Sequence, residues 1–225
     1  MKVSRILLWI FLLLLLICVK LEEIAQYEKK KKMLEDWEQF RTMDPDVLTE
    51  MNRSREMQKI LDSLEQAIKH PPVRKRDHDR IQFENSWGNE RSFGGERSHE
   101  GTDLMDINNK RGEIPIFSMS DGIVEKAGWL KLGGWRVGIR SPEGVYFYYA
   151  HLDRYAAWMI KGKQITAGTL LGFMGDSGYG EEGTTGQFPV HLHVGIYVQK
   201  EGEQDISVNP YYMLEEQIGM KVKKN

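Results

Sequence analysis

The distribution of glycine is the feature that most constrains how this chain can fold. The sequence has 225 residues and 22 glycines, and every glycine lies between Gly88 and Gly219. Glycine weakens helices and supplies the backbone conformations that tight turns need. We therefore expect a helical N-terminal part, followed by a separate glycine-rich domain built from strands and turns.

Charge and cysteine content exclude two classes of function. The 31 lysines and arginines nearly cancel the 33 acidic residues, which leaves a formal net charge of −2. Such a chain has no overall positive field to attract phosphates, so we expect no nucleic-acid partner. Its single cysteine, Cys18, cannot form an intrachain disulfide or a thiolate zinc site. A bound metal would therefore be held by imidazole and carboxylate groups.

Residues 6–19 form an unbroken apolar run, preceded by Lys2 and Arg5. The 14 residues of this run are fewer than the roughly 20 of a full membrane span and also suit the apolar region of a signal peptide. No pair of small residues follows that would mark a cleavage site, which favours an uncleaved anchor. We expect a single-pass cell-membrane protein with its C-terminal domain outside the cytoplasm, or a secreted protein if the segment is cleaved.

The segment from residue 21 to residue 70 lacks glycine and has the charged, widely spaced apolar pattern of a solvated helix. Asp44-Pro45 has the pattern of a helix cap followed by a first-turn proline, which predicts two helices. The favoured interpretation is a stalk, either solvated or dimerising as a weak coiled coil. Recruitment of a partner hydrolase is the alternative.

Beyond residue 83, short runs of β-forming residues alternate with glycine-containing turns. This pattern predicts an antiparallel β domain with little helix, the one expected exception being around Tyr155 to Met159. The predicted strands are Ile114 to Phe117, Gly122 to Lys126, Trp135 to Arg140, Val145 to Ala150, Thr169 to Met174 and Val190 to Val198. The predicted organisation is an anchor at 1–20, a helical stalk at 21–72, a linker at 73–84, the β domain at 85–212 and a charged tail at 213–225.

Two histidines in the last predicted strand point to a metal. His191 and His193 flank Leu192, and residues two apart on a strand share a face. Both imidazoles should therefore face the same way while Leu192 enters the core. Two adjacent imidazoles would repel if both were charged, and a shared metal is the usual reason for such a pair; a chance surface pair is the alternative.

Two further segments carry candidate ligands or catalytic groups. His99 and Asp103 offer an imidazole and a carboxylate, but Gly101 between them argues against the helix of an HExxH zinc site, so Glu100 should not be a general base. His151 ends an aromatic run that alternation makes a strand, which predicts a histidine where a strand gives way to a loop. A structural cap explains that position almost equally well.

Taken together, three separated motifs resemble the LytM and lysostaphin type of zinc metallopeptidase, family M23. The motifs are His99-x-Gly-x-Asp103, Tyr149-Ala-His151-Leu152 and His191-Leu-His193, and the resemblance covers about residues 85–200. Enzymes of this family cut peptide cross-links in bacterial cell walls. The resemblance implies a compact antiparallel β-sheet domain with zinc at the floor of a groove. Residues 179–189 and the loop near 129–135 would form the groove walls.

The resemblance also implies a role for each site residue. His99, Asp103 and His193 would bind one Zn²⁺ per domain, and His151 and His191 would be the catalytic pair. Three protein ligands leave a fourth position open, the pattern of a catalytic rather than a structural zinc site. The two unligated histidines would orient or deprotonate water and protonate the leaving amine, in an order that the sequence leaves open. The implied protein is a membrane-anchored endopeptidase acting on the peptides of peptidoglycan.

Two other functions compete with this interpretation. The string Gly175-Asp-Ser177-Gly178 is similar to a serine-protease site, but only about 25 residues separate His151 from Ser177, too few for the intervening barrel. A hairpin turn explains the string better. A non-catalytic scaffold, or an activator of other wall hydrolases, is the stronger alternative, since some members of the family have lost ligands. All five site residues are present here, which favours an enzyme.

Overall fold

The computed structural model of the chain describes residues 17, 20, 21, 24, 55–92, 95–199 and 204–218. The apolar run at 6–19, apart from Ile17, and most of the predicted stalk therefore lie outside the described residues. Among the residues that are described, no helix has the length and apolar character needed to cross a membrane. The anchor at 1–20 stays a prediction.

Residues 55–92, 95–199 and 204–218 contain two α-helices, one 3₁₀ helix and a set of short strands, and the isolated described residues 17, 20, 21 and 24 are also helical. The helices are α1 (Arg55–Ala67), α2 (Tyr211–Ile218) and the 3₁₀ helix Lys75–Arg80. The strands are β1 (Ile81–Gln82), β2 (Glu90–Arg91), β3 (Arg97–Ser98), β4 (Thr102–Asp106), β5 (Pro115–Phe117), β6 (Gly122–Leu130), β7 (Gly134–Arg140), β8 (Tyr146–Tyr155), β9 (Gln164–Ile165), β10 (Leu170–Met174), β11 (His191–Val198) and β12 (Ile206–Val208). All strand pairs within these residues are antiparallel, which confirms the predicted mainly β domain.

One sheet dominates the domain, with strand order β1-β4-β11-β8-β7-β6-β9. Strand β12 pairs with β11, β10 pairs with β8 and β5, and β2 and β3 form a separate hairpin. Alternate residues of the central strands, such as Val137, Phe147, Tyr149 and Leu192, are fully buried on one face. Since alternate side chains point to opposite faces, the residues between them form the other face, which carries the candidate site.

All six predicted strands are present, but the structure corrects the region after Ala150. Strand β8 continues through His151 to Tyr155 because its second half pairs with β10, where Leu152 lies opposite Met174. The prediction that His151 lies at a strand end is therefore wrong. The predicted helix around Tyr155 to Met159 is also wrong, because Tyr155 completes the strand and the amide of Met159 closes a turn on the carbonyl of Ala156 at 3.1 Å.

The last part of the predicted stalk packs onto the β domain. In α1, Ile60, Leu64 and Ala67 are buried and belong to the same apolar core as the sheet, and Val73 in the predicted linker is fully buried. The helix is amphipathic, and burial of its apolar stripe against the sheet is what stabilises so short a helix. Core packing thus reaches further toward the N-terminus than residue 85.

The C-terminal end behaves in the same way. Helix α2 (Tyr211–Ile218) crosses the predicted boundary between the β domain and the charged tail at 213–225, and its Leu214 and Ile218 are buried. The tail was predicted from the charged residues at the end of the sequence. The apolar side chains four positions apart in α2 instead place one face of this helix in the core.

Replacing Leu64 by alanine is expected to lower the free energy of unfolding by about 2–5 kcal/mol, since it empties a fully packed position between α1 and the sheet. Leu64 is only 3% exposed. Gln66→Ala, on the exposed side of the same helix, is the matched control and should change stability by less than about 0.5 kcal/mol. Urea unfolding of both variants measures the difference. Equal effects would mean that α1 does not pack on the domain in solution.

Candidate functional site

The first site segment is an irregular stretch between β3 and β4 that carries His99 into the protein. His99 is 3% exposed, and its Nδ1 lies 3.0 Å from the carbonyl oxygen of Ser86. Nη2 of Arg91, a donor, also lies 3.0 Å from this nitrogen; in the tautomer that donates from Nδ1 to the Ser86 carbonyl, Nε2 carries the lone pair. Residue 101 must be a glycine, because a β-carbon at this position would lie 2.5 Å from Cε1 of His193. The glycine of the first motif thus lets the imidazole of His193 pack against the backbone.

Strand pairing brings Asp103 and His193 together. They are direct cross-strand partners in β4 and β11, and His191 lies opposite Met105 in the same register. His191 and His193 both face the groove, while Leu192 between them is fully buried. The shared face expected for the two imidazoles is therefore confirmed. A shift of one residue in this register would turn Asp103 away from both histidines.

Three side chains form a cluster able to hold a metal ion: His99, Asp103 and His193. The His99 Nε2 atom lies 3.0 Å from Nδ1 of His193 and 3.1 Å from Oδ1 of Asp103, and the last two atoms are 2.9 Å apart. A tetrahedral zinc with bonds of about 2.0–2.1 Å holds its ligand atoms about 3.3 Å apart. Two imidazole nitrogens and a carboxylate oxygen at this spacing fit such an ion.

His151 approaches the cluster from β8 in an unusual backbone conformation. Its φ is +61°, in the left-handed region that a non-glycine residue seldom adopts. Beside it, the pairing register of β7 with β8 shifts. The Nδ1–H of His151 donates to the carbonyl oxygen of Ser177 at 2.8 Å, so the Nε2 lone pair is free. The ring contacts Phe188 and His191, with centroids 4.6 Å away in each case.

His191 has the same arrangement of ring nitrogens as His151. Its Nδ1–H donates to the carbonyl oxygen of Pro189 at 2.8 Å, and its Nε2 points toward Asp103, 3.9 Å from Oδ1. His151 and His191 thus present unprotonated Nε2 atoms next to the cluster without belonging to it.

Burial controls the charge of these groups. It lowers the pKa of His151 well below its ordinary value, and repulsion from His191 and His193 adds to the shift. Burial also lowers the pKa of His191, with the nearby Asp103 carboxylate acting in the opposite direction. For Asp103 itself, burial opposes ionisation, but its interactions with the adjacent imidazoles of His193 and His99 outweigh burial and lower its pKa. Near neutral pH the site therefore holds an ionised carboxylate and two neutral, unligated imidazoles.

The metal-free chain is expected to lose stability as the pH falls below about 6.5. Unfolded histidines bind protons near that pH, whereas folded His151 and His191 bind them only at lower pH, so the unfolded state carries more protons. Each group would remove up to about 1.4 kcal/mol per pH unit in this window. Urea unfolding at pH 5, 6, 7 and 8 measures the slope. His151→Asn should flatten it, and an unchanged slope would contradict the lowered pKa.

These groups lie at one side of a groove with a volume of about 980 Å³. Both segments expected to form its walls contribute to it: Leu130 and Leu132 on one side, Tyr179 and Phe188 on the other. Tyr148 forms part of the floor, with its ring 5.8 Å from that of His193. All five candidate residues line this groove.

Sequence reasoning missed the groups that support the site. The guanidinium of Arg91 donates to Oδ2 of Asp103 at 2.8 Å, and the orienting acceptors of His99, His151 and His191 are backbone carbonyls. Neither kind of partner has a signal in a single sequence. Partners of this type fix the tautomer and orientation of metal-binding and catalytic histidines.

Ser177 has a structural role. Its hydroxyl donates to the carbonyl oxygen of Leu152 at 2.6 Å and accepts from the amide of Trp135 at 3.0 Å. His151 contacts the backbone oxygen of Ser177 and not its hydroxyl. The interpretation of Gly175 to Gly178 as a turn and not a serine-protease site agrees with these contacts.

An antiparallel sheet presents two histidines and an aspartate as a cluster able to hold a metal ion, with further histidines beside it in a groove, so the protein belongs to the class with a candidate metal centre in a groove. Comparison with known families makes this specific, since residues 97–210 match the model of peptidase family M23. The chain belongs to peptidase family M23.

Two relatives and one solved structure show how far the similarity extends. The chain is 42% identical over 129 residues to an L-Ala–D-Glu endopeptidase of Bacillus subtilis, covering 57% of this chain and 38% of the relative. It is 33% identical over 67 residues to the glycyl-glycine endopeptidase ALE-1 of Staphylococcus capitis, covering 29% of this chain and 18% of the relative. The chain thus spans well under half of either curated relative.

The solved structure comes from Ruminococcus gnavus, and its name assigns it to the LytM glycyl-glycine endopeptidases. It superimposes with a TM-score of 0.62 at 53% sequence identity, covering 68% of this chain and 61% of that one. The similarity supports the same β fold for the domain described here.

Proposed function

We propose that this chain is a zinc-dependent endopeptidase that hydrolyses peptide bonds in peptidoglycan. His99, Asp103 and His193 are the proposed zinc ligands, and His151 and His191 the proposed catalytic pair. The observation that carries the proposal is the convergence of three ligand atoms 2.9–3.1 Å apart with two free Nε2 atoms in one groove. Membership of family M23 and the names of the relatives support the reaction type.

The donor set fits zinc because it combines two imidazoles with one carboxylate and leaves a coordination position for a reactant. When bound, zinc supplies a Lewis acid that polarises a carbonyl oxygen and lowers the pKa of water. The chain contributes the geometry. Ser86 orients His99 through its carbonyl oxygen, and Arg91 holds the second oxygen of Asp103, so Oδ1 stays directed at the cluster.

Because the pKa values of His151 and His191 are lowered, both imidazoles are neutral near neutral pH and can accept a proton. A neutral imidazole accepts a proton at Nε2 from the attacking water and returns it to the leaving amine, while the backbone carbonyl on Nδ1 holds the ring in place. A protonated imidazole beside the scissile bond also stabilises negative charge developing on the carbonyl oxygen. Two histidines let one serve as base while the other stabilises charge.

The groove suits an extended peptide. Its floor is made of strands, and its walls carry apolar side chains such as Leu130, Leu132 and Phe188. A peptide with alternating side chains fits a surface of this type, since its backbone can lie along the sheet while alternate residues contact the walls. Peptides of the bacterial wall are accessible, extended substrates of this kind.

The test is to measure zinc and cleavage on the same full-length preparation. The whole chain is used because α1 packs on the β domain. About one zinc per chain and new amino termini in purified peptidoglycan are the expected results. A zinc-loaded chain that releases no amino termini, under conditions where a known endopeptidase does, would contradict the enzyme and favour a non-catalytic scaffold or activator.

We also propose that residues 6–19 anchor the chain in the cell membrane and that the domain acts outside the cytoplasm. The apolar run with Lys2 and Arg5 before it supports this, as does the location of peptidoglycan. In this arrangement residues 21–54 would separate the domain from the membrane and offer a surface for a second copy or a partner hydrolase. Cell fractionation with external protease tests it, and a domain protected inside intact protoplasts would contradict it.

A further inference from the structure

The groove has an excess of positive charge that the metal cluster does not use. Its lining includes Arg97, Lys126 and Arg136 in addition to Arg91, which is already paired with Asp103. The acidic residues in the lining are Asp103 and Glu100. Within the described parts of the chain, no ion pair involves Arg97, Lys126 or Arg136. Such a groove favours an anionic ligand over a neutral one.

Arg136 is the most informative of these cations. Its Nε and Nη1 atoms are buried and have no hydrogen-bond partner among the described residues. Leaving a buried guanidinium donor unpaired is costly, and such groups are normally satisfied by protein, water or a ligand. The guanidinium lies close enough to the hydroxyls of Tyr146 and Tyr148 to act on their pKa, which burial raises and Arg136 lowers. Its surroundings among the described residues are therefore aromatic.

Arg140, four residues along the same strand and on the same face, shows the contrast. Its guanidinium donates to the carboxylates of Glu125 and Asp205 and to the carbonyl oxygen of Gly144, and it lies over the ring of Tyr146. Among the residues that the structure describes, two carboxylates pair with Arg140 and none with Arg136. Arg140 is a structural group, whereas Arg136 lines the groove and its buried Nε and Nη1 have no partner among the described residues.

The position of Arg136 relative to the metal cluster follows from the strand order. Arg136 lies in β7 between the residues paired with Leu152 and Tyr149 of β8, and Ala150 of β8 pairs with His193 of β11. Two strand spacings, about 10 Å in total, therefore separate the backbones of Arg136 and His193. Arg136 and His193 line the same groove, and about 10 Å corresponds to roughly three residues of an extended peptide, so a peptide lying over the cluster passes within reach of the Arg136 side chain.

We propose that Arg136, supported by Arg97 and Lys126, binds a free carboxylate on the substrate peptide, one or two residues from the bond that is cut. This inference rests on the proposed endopeptidase function and narrows its substrate to acidic wall peptides, in contrast to uncharged glycine bridges. Arginine suits the task because its planar fork makes two parallel hydrogen bonds to one carboxylate, which a carboxamide cannot match in charge.

The test compares two synthetic wall peptides that share an L-Ala–D-Glu bond and differ in one group. One has the free carboxylate beside that bond, and in the other this group is a carboxamide; pentaglycine is the uncharged reference. The zinc-loaded full-length chain is expected to prefer the carboxylate peptide by about 10- to 100-fold in kcat/KM.

Arg136→Gln should reduce this ratio of kcat/KM values to near one, and Arg136→Lys should give an intermediate ratio. Lys161→Gln, which removes an exposed charge outside the groove, is the matched control and should keep the full ratio.

Binding constants measured by calorimetry on the same zinc-loaded proteins separate this inference from the proposed function. If no peptide is cleaved but the carboxylate peptide binds at least 10-fold more tightly, and Arg136→Gln removes that difference, the subsite is correct and the endopeptidase function is not. If the peptides are cleaved with the same ratio in wild type and Arg136→Gln, the subsite is wrong and the enzyme stands. Preference for pentaglycine would also overturn the subsite.

Discussion

His193→Ala is expected to abolish stoichiometric zinc binding. The variant removes one of three ligand atoms that lie 2.9–3.1 Å apart and leaves two. The loss of zinc affinity should therefore exceed the roughly 10- to 100-fold that follows from changing a residue that only orients a ligand. Zinc per chain, measured by elemental analysis after dialysis against a weak chelator, should fall from about one to a trace. Cleavage of peptidoglycan should fall with it.

The first control is to show that the variant is folded. His193 lies in a central strand and is mostly buried, so the variant must be shown to unfold cooperatively before its zinc content is interpreted. His70→Ala, at a histidine outside the groove whose Nδ1 contacts the carbonyl of Pro71, should retain full zinc. Equal zinc in the wild type and His193→Ala would overturn the ligand assignment.

The sequence predicts those strands whose pattern is local and not those that form only through pairing with neighbouring strands. The strands β6, β7, β8, β10 and β11 have alternating apolar residues and glycine turns at their ends, so local sequence identifies them. Strands β1, β2, β3, β9 and β12 have two or three residues each, too few for a periodic pattern. They form because neighbouring strands offer hydrogen bonds, which is information from the tertiary structure.

The candidate site divides in the same way. The pattern of His191 and His193 on one strand face is local, and the structure has it as expected. The meeting of Asp103 with His193 depends on the register of β4 with β11, which no property of either segment specifies. The family resemblance supplied that link, since spacing alone gave His99 and Asp103 only a weak signal.

The features that the sequence did not predict all depend on contacts between segments that are far apart in the sequence. The left-handed conformation of His151 lies where β8 stops pairing with β11 and begins to pair with β10, and alternation predicts a strand end there. Helix α1 looked like solvated stalk because its apolar residues are few, although three of them are buried in the core. The sequence gives no sign that Arg136 differs from Arg140, because the carboxylates that pair with Arg140, those of Glu125 and Asp205, come from other segments of the chain.

His151→Asn and His191→Ala are each expected to keep zinc and to lower kcat for wall-peptide cleavage by about 10²- to 10⁴-fold, the range typical of a general acid or base. Asparagine is chosen at position 151 because the backbone there has a φ of +61°, and asparagine tolerates this region better than alanine. The lost activity can then be assigned to the imidazole and not to backbone strain. Zinc content and kcat are measured on one preparation.

The two variants together also separate the histidines from each other. If one imidazole is the base, its removal should erase the acidic limb of the pH profile of kcat/KM, which reports a pKa below the ordinary histidine value because burial lowers the pKa of both groups. The variant that keeps this limb identifies the histidine that stabilises charge. Loss of zinc in either variant, or activity within about threefold of wild type in both, would contradict their assignment as the catalytic pair, because a general acid or base contributes at least about 10²-fold.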